Sequence, residues 1–558
     1  MPERGSPTNR QTGRPLDGLL LGVLWLMHVL SNLWWWHQDT LPPAWDQSIH
    51  LTYSLVYYGL FRLDWGTALV GVCTVSHYYP PLTHLGALPF FALFGPSGAQ
   101  LPGFDPADVA CLANLLFLAV LLGATYGLGR LAFGRTAGLA AAALVSFYPL
   151  VFVLSREFLT DFPLTALTAL TFYLLLRSEG FRQRKYALLG GLSYGLTLLT
   201  KWSFFFLSLL ALLYLLASSL SRSPATTEPR RIRLNAAWAI VGAMAVAGPW
   251  YFTDLPAIVR EVRVSNTTAA LDRDPACFTA EYFTYYLRAG VEHQLFWPFA
   301  LLFLFGVGWL ICRGRSSTLL NWAGENRVAV RVLGLWLVGG WAALTLVWNK
   351  DPRFSLPLLP AVAVFSVGWL STLRRAHQVA LGTVLGLVAI VQYWGVSYGL
   401  PFLPPRVEVL GLPLYAQSCH LSHPPRREVW PVREIVARLG RERGWVGPVG
   451  ILPNCPRFNA RTFRYYAYLE TLPQFPQVQP QVEPIAQDRV VSLEDLGEFD
   501  VLVFKTGDQG EHAWFIEATQ GELAAQEEVF RERFHLAQRW NLPDGSEAQV
   551  YYAAGNGS

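Results

Sequence analysis

From Leu16 to about Leu400 the chain repeats one pattern, an apolar run of roughly 15–22 residues followed by a short polar connector. Helices close their own backbone hydrogen bonds, so they can carry such runs through a lipid layer where open strands and loops cannot. The pattern therefore dictates an α-helical polytopic membrane protein. Charged residues make up 15% of the chain and the mean hydropathy is +0.30. Soluble chains carry about a quarter charged residues. The first run follows a polar tail, residues 1–16, that holds Arg4, Arg10 and Arg14. It ends in Trp34, Trp35 and Trp36, not in a small-residue cleavage site, and so reads as an uncleaved anchor with a cytoplasmic N-terminus.

Spans are expected at 17–36, 107–128, 137–154, 160–176, 186–200, 203–219, 235–252, 294–312, 332–348, 355–372 and 378–398, about eleven in all. With the start inside, the inner connectors are 129–135, 177–186, 221–233, 313–331 and 373–377. Each is rich in Arg or Lys, as the positive-inside rule requires. The outer segments are a large first loop, 37–106, then 155–161, 253–293 and 349–353. They hold Asp46, Asp64, Arg156, Glu157, Asp161, Asp351 and Arg353, and Lys201 lies in a turn on the same side. Charges at membrane depth are costly and usually functional, and here they gather on one face. A transporter would more often place them at mid-membrane on broken helices related by internal repeats.

Residues 401–558 change character. Charge rises and the apolar runs shorten. "REIVARLGRERG" (433–444) and "FRYYAYLE" (463–470) read as helices. "VGPVGIL" (446–452), "FDVLVFKTG" (499–507) and "EAQVYYAA" (547–554) read as strands. An odd number of spans puts this small α/β domain outside the cytoplasm. A Cys419–Cys455 disulfide would suit an oxidising compartment, although sequence does not fix the pairing. Asn266-Thr267-Thr268 forms a glycosylation sequon in the third outer loop. No Cys or His spacing matches a structural zinc site, and no glycine-rich phosphate cradle is present.

Five stretches carry the chemistry: "AWDQSIH" (44–50), "HYYPPLTHL" (77–85), "SREFLTDFPL" (155–164), "TKWSF" (200–204) and "NKDPRFSLPLLP" (349–360). Their order and sidedness resemble the GT-C superfamily of polytopic glycosyltransferases, over about residues 20–400. The nearest match is the branch of protein O-mannosyltransferases and lipid A aminoarabinose transferases. The shared pattern is a first-loop acid, a Tyr-Pro-Pro segment, a Ser-Arg-Glu…Asp loop, a Lys-Trp turn and a late Asp-x-Arg-aromatic motif before prolines. The resemblance implies a transmembrane transferase domain over 17–400 with the α/β domain appended. It also implies transfer of a hexosyl or pentosyl unit from a polyprenyl-phosphate-linked donor to an extracytoplasmic glycan, lipid or protein, with inversion. A bacterial plasma membrane is the expected setting, with membrane lipids but no nucleic acid among the partners.

Residue by residue, Asp46 matches the family's first-loop acid, expected as catalytic base; a helix cap is its plainer reading. Asp161 matches the acid after span three, as a second catalytic group or as the cap of the helix that follows. Lys201 and Arg353 match positions near the lipid phosphate, where they would stabilise the charge of the leaving group. Tyr79 and Arg156 are further candidates at that phosphate, and Arg156 can alternatively pair with Glu157. No cofactor is required by this chemistry, although a divalent metal is compatible with it. Two departures matter. Gln47 stands where the mannosyltransferases carry a second acid. His77 stands where the aminoarabinose enzymes carry an acid linked to a metal, which makes it a candidate ligand. The competing readings are a lipid-linked sugar flippase or transporter, which would want cations inside a central cavity, and an O-antigen ligase or polymerase-type enzyme, which would want paired arginines in a large late loop.

Overall fold

A computed structural model describes residues 15–98, 100–101, 103–221, 228–271, 274–314 and 317–554. The basic tail up to residue 14, and parts of the connectors 221–233 and 313–331, lie outside the described residues. Within them, eight helices are long and apolar enough to cross a membrane. They are Pro15–Gln38, Pro106–Phe133, Phe204–Ser221, Pro229–Arg260, Ala280–Cys312, Arg327–Leu346, Pro352–Thr372 and Arg375–Tyr398. The other three expected spans fall on shorter helices. The third is split into Arg135–Ser146 and Pro149–Leu154. The fourth and fifth are Asp161–Arg177, with 17 residues, and Arg184–Leu198, with 15. At about 1.5 Å per residue these fall short of a hydrocarbon layer roughly 30 Å thick. Asp161–Arg177 is instead enclosed by its neighbours, with most of its side chains buried.

Small residues let these helices approach. A Cβ on Gly191 would stand 2.0 Å from the backbone oxygen of Ala239, on the long helix Glu228–Leu271. Backbone cannot yield there as a flexible side chain could. Gly191→Val is expected to cost about 1–3 kcal/mol by overpacking, and a thermal melt in detergent should show it as a lowered midpoint; an unchanged midpoint would mean that the two helices have room to separate. The same long helix corrects the expected third outer loop. Residues 253–271 continue it as helix, and a second short helix, Ala280–Ala289, begins at Ala280. The sequon at Asn266 lies on this extension, its side chains outside the described residues.

The segment expected as the first outer loop is also helical. Pro42 and Pro43 end the approach from the first span, and a surface helix, Trp45–Leu63, follows. Its cap is not Asp46. The helix starts after Ala44, whose backbone N–H donates to Gln47 Oε1 at 3.3 Å. Trp65–Val72 and Leu82–Phe94 complete the loop.

The C-terminal domain opens with a hairpin of β1 (Arg406–Val409) and β2 (Leu412–Ala416). A mixed five-stranded sheet follows, made of β3 (Val449–Ile451), β4 (Val482–Pro484), β5 (Val501–Lys505), β6 (Phe534–Asn541) and β7 (Glu547–Ala553). The strand order is β4-β3-β5-β7-β6. β3 runs parallel to β4 and β5, and β7 is antiparallel to β5 and β6. Helix Val432–Arg443 precedes β3 and Ala460–Thr471 crosses from β3 to β4, so the expected helices and strands are all present. The domain shares a core with the first loop. Leu51, Leu55 and Phe91 pack in one buried cluster with Ile435, Phe458, Phe463 and Val503. At the carboxyl end of β3 the chain therefore runs directly over Pro42 and Pro43. Arg457 donates to the Pro42 oxygen at 2.6 Å and Thr462 to the Pro43 oxygen at 3.1 Å. No disulfide joins Cys419 to Cys455. Both are free thiols, the first packed near the membrane helices and the second in the sheet core against the Asp508 oxygen at 3.4 Å.

Candidate active site

Asp46 sits in the first turn of the surface helix, and its carboxylate is held by two arginines. Oδ2 lies 3.1 Å from Arg353 and Oδ1 lies 2.8 Å from Arg461. The two come from opposite directions. Arg353 sits at the start of the helix pair that forms the tenth expected span. Arg461 sits in the first turn of Ala460–Thr471 in the C-terminal domain. Arg353 is fixed by a second carboxylate, donating through Nε to Asp351 at 2.9 Å, with the Asp351 carboxylate also 2.7 Å from its terminal nitrogen. Asp351 caps its own turn by accepting the Arg353 backbone N–H at 2.7 Å, and His420 Nε2 approaches it at 3.3 Å. The local sequence explains the fork. Pro352 fixes the turn between acid and base, which brings their side chains round to the same side.

Asp161 and Lys201 form a second pair, 2.8 Å apart. Asp161 opens the helix Asp161–Arg177 and Lys201 lies in the turn after Arg184–Leu198. The ammonium also stands 4.4 Å from the centre of the Phe354 ring, the residue after Arg353. The two pairs are thus neighbours although Lys201 and Arg353 are far apart in sequence. Between them lies His50, buried one turn after Asp46, whose Nδ1 meets His84 Nε2 at 3.0 Å. The Tyr79 ring stands edge-on to His50 at 4.8 Å. Asp46, Tyr79, Asp161, Lys201 and Arg353 therefore belong to one constellation.

The electrostatics follow from this arrangement. Burial works against charge on Asp46, but Arg353 and Arg461 outweigh it and hold the carboxyl below the ordinary aspartate range. Asp351 behaves the same way: burial opposes its charge, and Arg353 with His420 drives it far down. Burial pushes His50 down to about 4 against the pull of Asp46, so its ring is neutral at physiological pH. Burial, with Asp46 second, pushes the Tyr79 hydroxyl far above its ordinary value and keeps it a neutral donor.

Arg156 does not join this group. It is buried and donates to Asn32 at 3.0 Å, Tyr393 at 3.1 Å and Ser397 at 2.9 Å, with the Trp35 ring 5.5 Å away. It clamps the first and last spans beside a small cavity that Glu157 and His423 also line, and it makes no ion pair with Glu157 among the described residues. His77 pairs with one acid, Asp254, at 2.5 Å. Among the described residues no three His, Cys, Asp or Glu side chains converge as a metal site would need. At His77 the described donor set is this single pair with Asp254.

Sequence reasoning missed the partners of Asp46 more than Asp46 itself. Asp351 and His50 lie inside the quoted motifs but carried no assigned role. Arg461 is 415 positions from Asp46 and sits in a domain without a diagnostic motif, so nothing local signals it. The Asp-x-Arg spacing was the one available sign that Asp351 would orient Arg353.

Residues 87–251 match the profile of a family described as dolichyl-phosphate-mannose-protein mannosyltransferase. The match contains Asp161 and Lys201 and stops short of Asp46 on one side and of Arg353 and Arg461 on the other. No curated protein matches by sequence. Among solved structures, the chain is similar to ArnT from Cupriavidus metallidurans in the apo state, at 16% identity and a TM-score of 0.57, covering 96% of this chain and 98% of that one. The same protein bound to undecaprenyl phosphate gives 15% and 0.55, with 97% and 98% covered. An Archaeoglobus fulgidus oligosaccharyltransferase tethered to an acceptor peptide containing the NVT sequon gives 12% and 0.54, with 96% and 74% covered. These likenesses are of fold. The chain is thus similar over part of its sequence to a mannosyltransferase family, and similar in fold to ArnT and to the oligosaccharyltransferase.

Proposed function

We propose that the protein transfers a sugar from a polyprenyl-phosphate-linked donor to an extracytoplasmic acceptor hydroxyl on a glycan, lipid or protein, with inversion at the anomeric carbon. The observation that carries this reading is Asp46 on its surface helix, in contact with Arg353 and beside the Lys201–Asp161 pair. Inverting transfer needs a carboxylate on the acceptor side and cations on the leaving-group side, within one sugar's breadth. The acceptor oxygen attacks the anomeric carbon, the bond to the phosphate oxygen breaks with its electron pair, and Asp46 takes the acceptor proton. Arg353, Lys201 and Tyr79 face the phosphate as it gains charge, and Asp161 holds Lys201 in place. The undecaprenyl phosphate bound by the ArnT neighbour and the acceptor peptide tethered to the oligosaccharyltransferase neighbour support a lipid-linked donor and a separate acceptor. A flippase is disfavoured because these charges gather at one end of the helices.

The test is incubation of the purified protein with a panel of labelled polyprenyl-phosphate sugars, following release of the lipid phosphate. Release from one donor, dependent on an acceptor, is the expected result; sugar crossing a vesicle bilayer without release from its lipid would favour the flippase. The orientation belongs to the same proposal and rests on the basic connectors. A cysteine tag beside Gly507, in the loop after β5, should label from outside intact cells, and labelling only after permeabilisation would reverse the orientation.

A further inference from the structure

Two features set Arg461 apart from Arg353. The first is its anchoring. The helix that carries it is pinned at its start by Asn459, whose Oδ1 accepts the N–H groups of Arg461 at 2.9 Å and Thr462 at 3.2 Å. Asn459 is itself buried and donates back to the oxygens of Cys455 and Pro456. The backbone under Arg461 is therefore fixed on the roof of the site. The second is its freedom beyond that anchor. The Arg461 side chain is 44% exposed and, among the described residues, bonds Asp46 alone, through one terminal nitrogen, whereas Arg353 is 13% exposed and forked onto Asp351. One arginine is a rigid wall and the other a side chain able to swing on a rigid hinge.

This geometry creates a difficulty for Asp46 as a base. A carboxylate held by two guanidiniums has its charge compensated and stabilised, so it has little tendency to take a proton. The function proposed above puts Arg353 at the donor phosphate, and Arg461 shares the same carboxylate. We propose that Asp46 is masked in the resting enzyme by Arg353 and Arg461, and that the donor phosphate unmasks it by drawing the guanidiniums to itself. Arg461 is then a positioning residue that the C-terminal domain supplies to the reaction. The inference rests on the donor class proposed above. As the acceptor oxygen bonds to the anomeric carbon, the electron pair of the breaking bond passes to the phosphate oxygen. The phosphate goes from one negative charge toward two, and its hold on both arginines strengthens. Asp46 loses its counter-charges at the moment the acceptor proton arrives, and that proton goes to Asp46. Base strength is thereby tied to donor occupancy, and the empty site is spared an exposed reactive carboxylate.

The experiment is binding of farnesyl phosphate, a soluble lipid phosphate without sugar, to the full-length protein in detergent, followed by tryptophan fluorescence. If Asp46 competes with the phosphate for the arginines, Asp46→Asn should bind it about 5–10-fold more tightly than wild type while losing transfer. Arg461→Gln should bind it about 5–10-fold more weakly. In the double variant the gain from Asp46→Asn should shrink, because one of the freed arginines is gone. Arg461→Gln should also move the acidic limb of the kcat/KM pH profile upward, a change that a purely structural role would not produce. Arg461 is exposed enough for this variant to fold even if Asp46→Asn does not. Binding by wild type with equal or weaker binding by Asp46→Asn, or an unmoved acidic limb in Arg461→Gln, overturns the masking and leaves the proposed donor class standing. No binding of farnesyl phosphate by wild type overturns both.

Discussion

Asp46→Asn is expected to fold and reach the membrane at wild-type levels and to lose about 10²–10⁴ in the rate of sugar transfer. The separation of fold from rate follows from the local structure. Asp46 does not cap the surface helix; Gln47 closes that turn on Ala44. Its departure strands no buried partner. Arg353 keeps its fork on Asp351, and Arg461 is exposed enough for water to replace the lost contact. An amide of the same size fills the same space. What it cannot do is take a proton. Turnover of a labelled polyprenyl-phosphate sugar, with a thermal melt alongside, checks both halves. Near-normal turnover would pass the role of base to Asp161, the other acid of the constellation. Asp161→Asn is the less clean experiment, because Asp161 is buried against Lys201 and its loss leaves an ammonium without its counter-charge.

The division between what the sequence reveals and what it hides has a physical basis. Membrane-spanning runs are legible because length and apolarity are local properties, set by the thickness of the lipid layer. That rule gives way where a helix is shielded by protein. Asp161–Arg177, 17 residues long and mostly buried among its neighbours, need not match the full thickness. The C-terminal strands and helices are legible through their period, but the packing of Phe458 and Phe463 against Leu51 and Leu55 is not, since a core shared by two remote segments leaves no mark on either. The same holds at the site. Asp46, Asp161, Lys201 and Arg353 are each visible as a charge beside an apolar run. Their pairing, Asp46 with Arg353 and Asp161 with Lys201, is a property of the bundle. Arg156 shows the reverse error: a charge in a motif loop that the bundle consumes as a clamp between spans, through Asn32 and Tyr393.

Arg353→Met should lower turnover at least about tenfold and, unlike Asp46→Asn, should also destabilise the protein. Each charge-assisted bond that Arg353 gives a phosphate contributes on the order of 1.5–3 kcal/mol, and about 1.4 kcal/mol is already tenfold. The stability effect comes from Asp351. Its side chain is 15% exposed, and Arg353 is its principal counter-charge, with His420 more distant at 3.3 Å. Removing one member of a buried ion pair leaves an uncompensated charge and costs about 3–5 kcal/mol. Arg353→Lys makes the contrast, since it restores the charge without the fork. The pH dependence distinguishes this account from simple loss of packing. Asp351 titrates far below the ordinary aspartate range when folded, so in wild type it contributes stability at neutral pH that is lost progressively as pH falls from the ordinary aspartate range toward that depressed value. In Arg353→Met that contribution is absent at neutral pH. The gap between the two melting curves should therefore be widest near pH 7 and narrow as pH drops below about 4, where an unfolded aspartate is itself protonated. A gap that stays constant with pH would place the damage in packing and remove Asp351 from the argument.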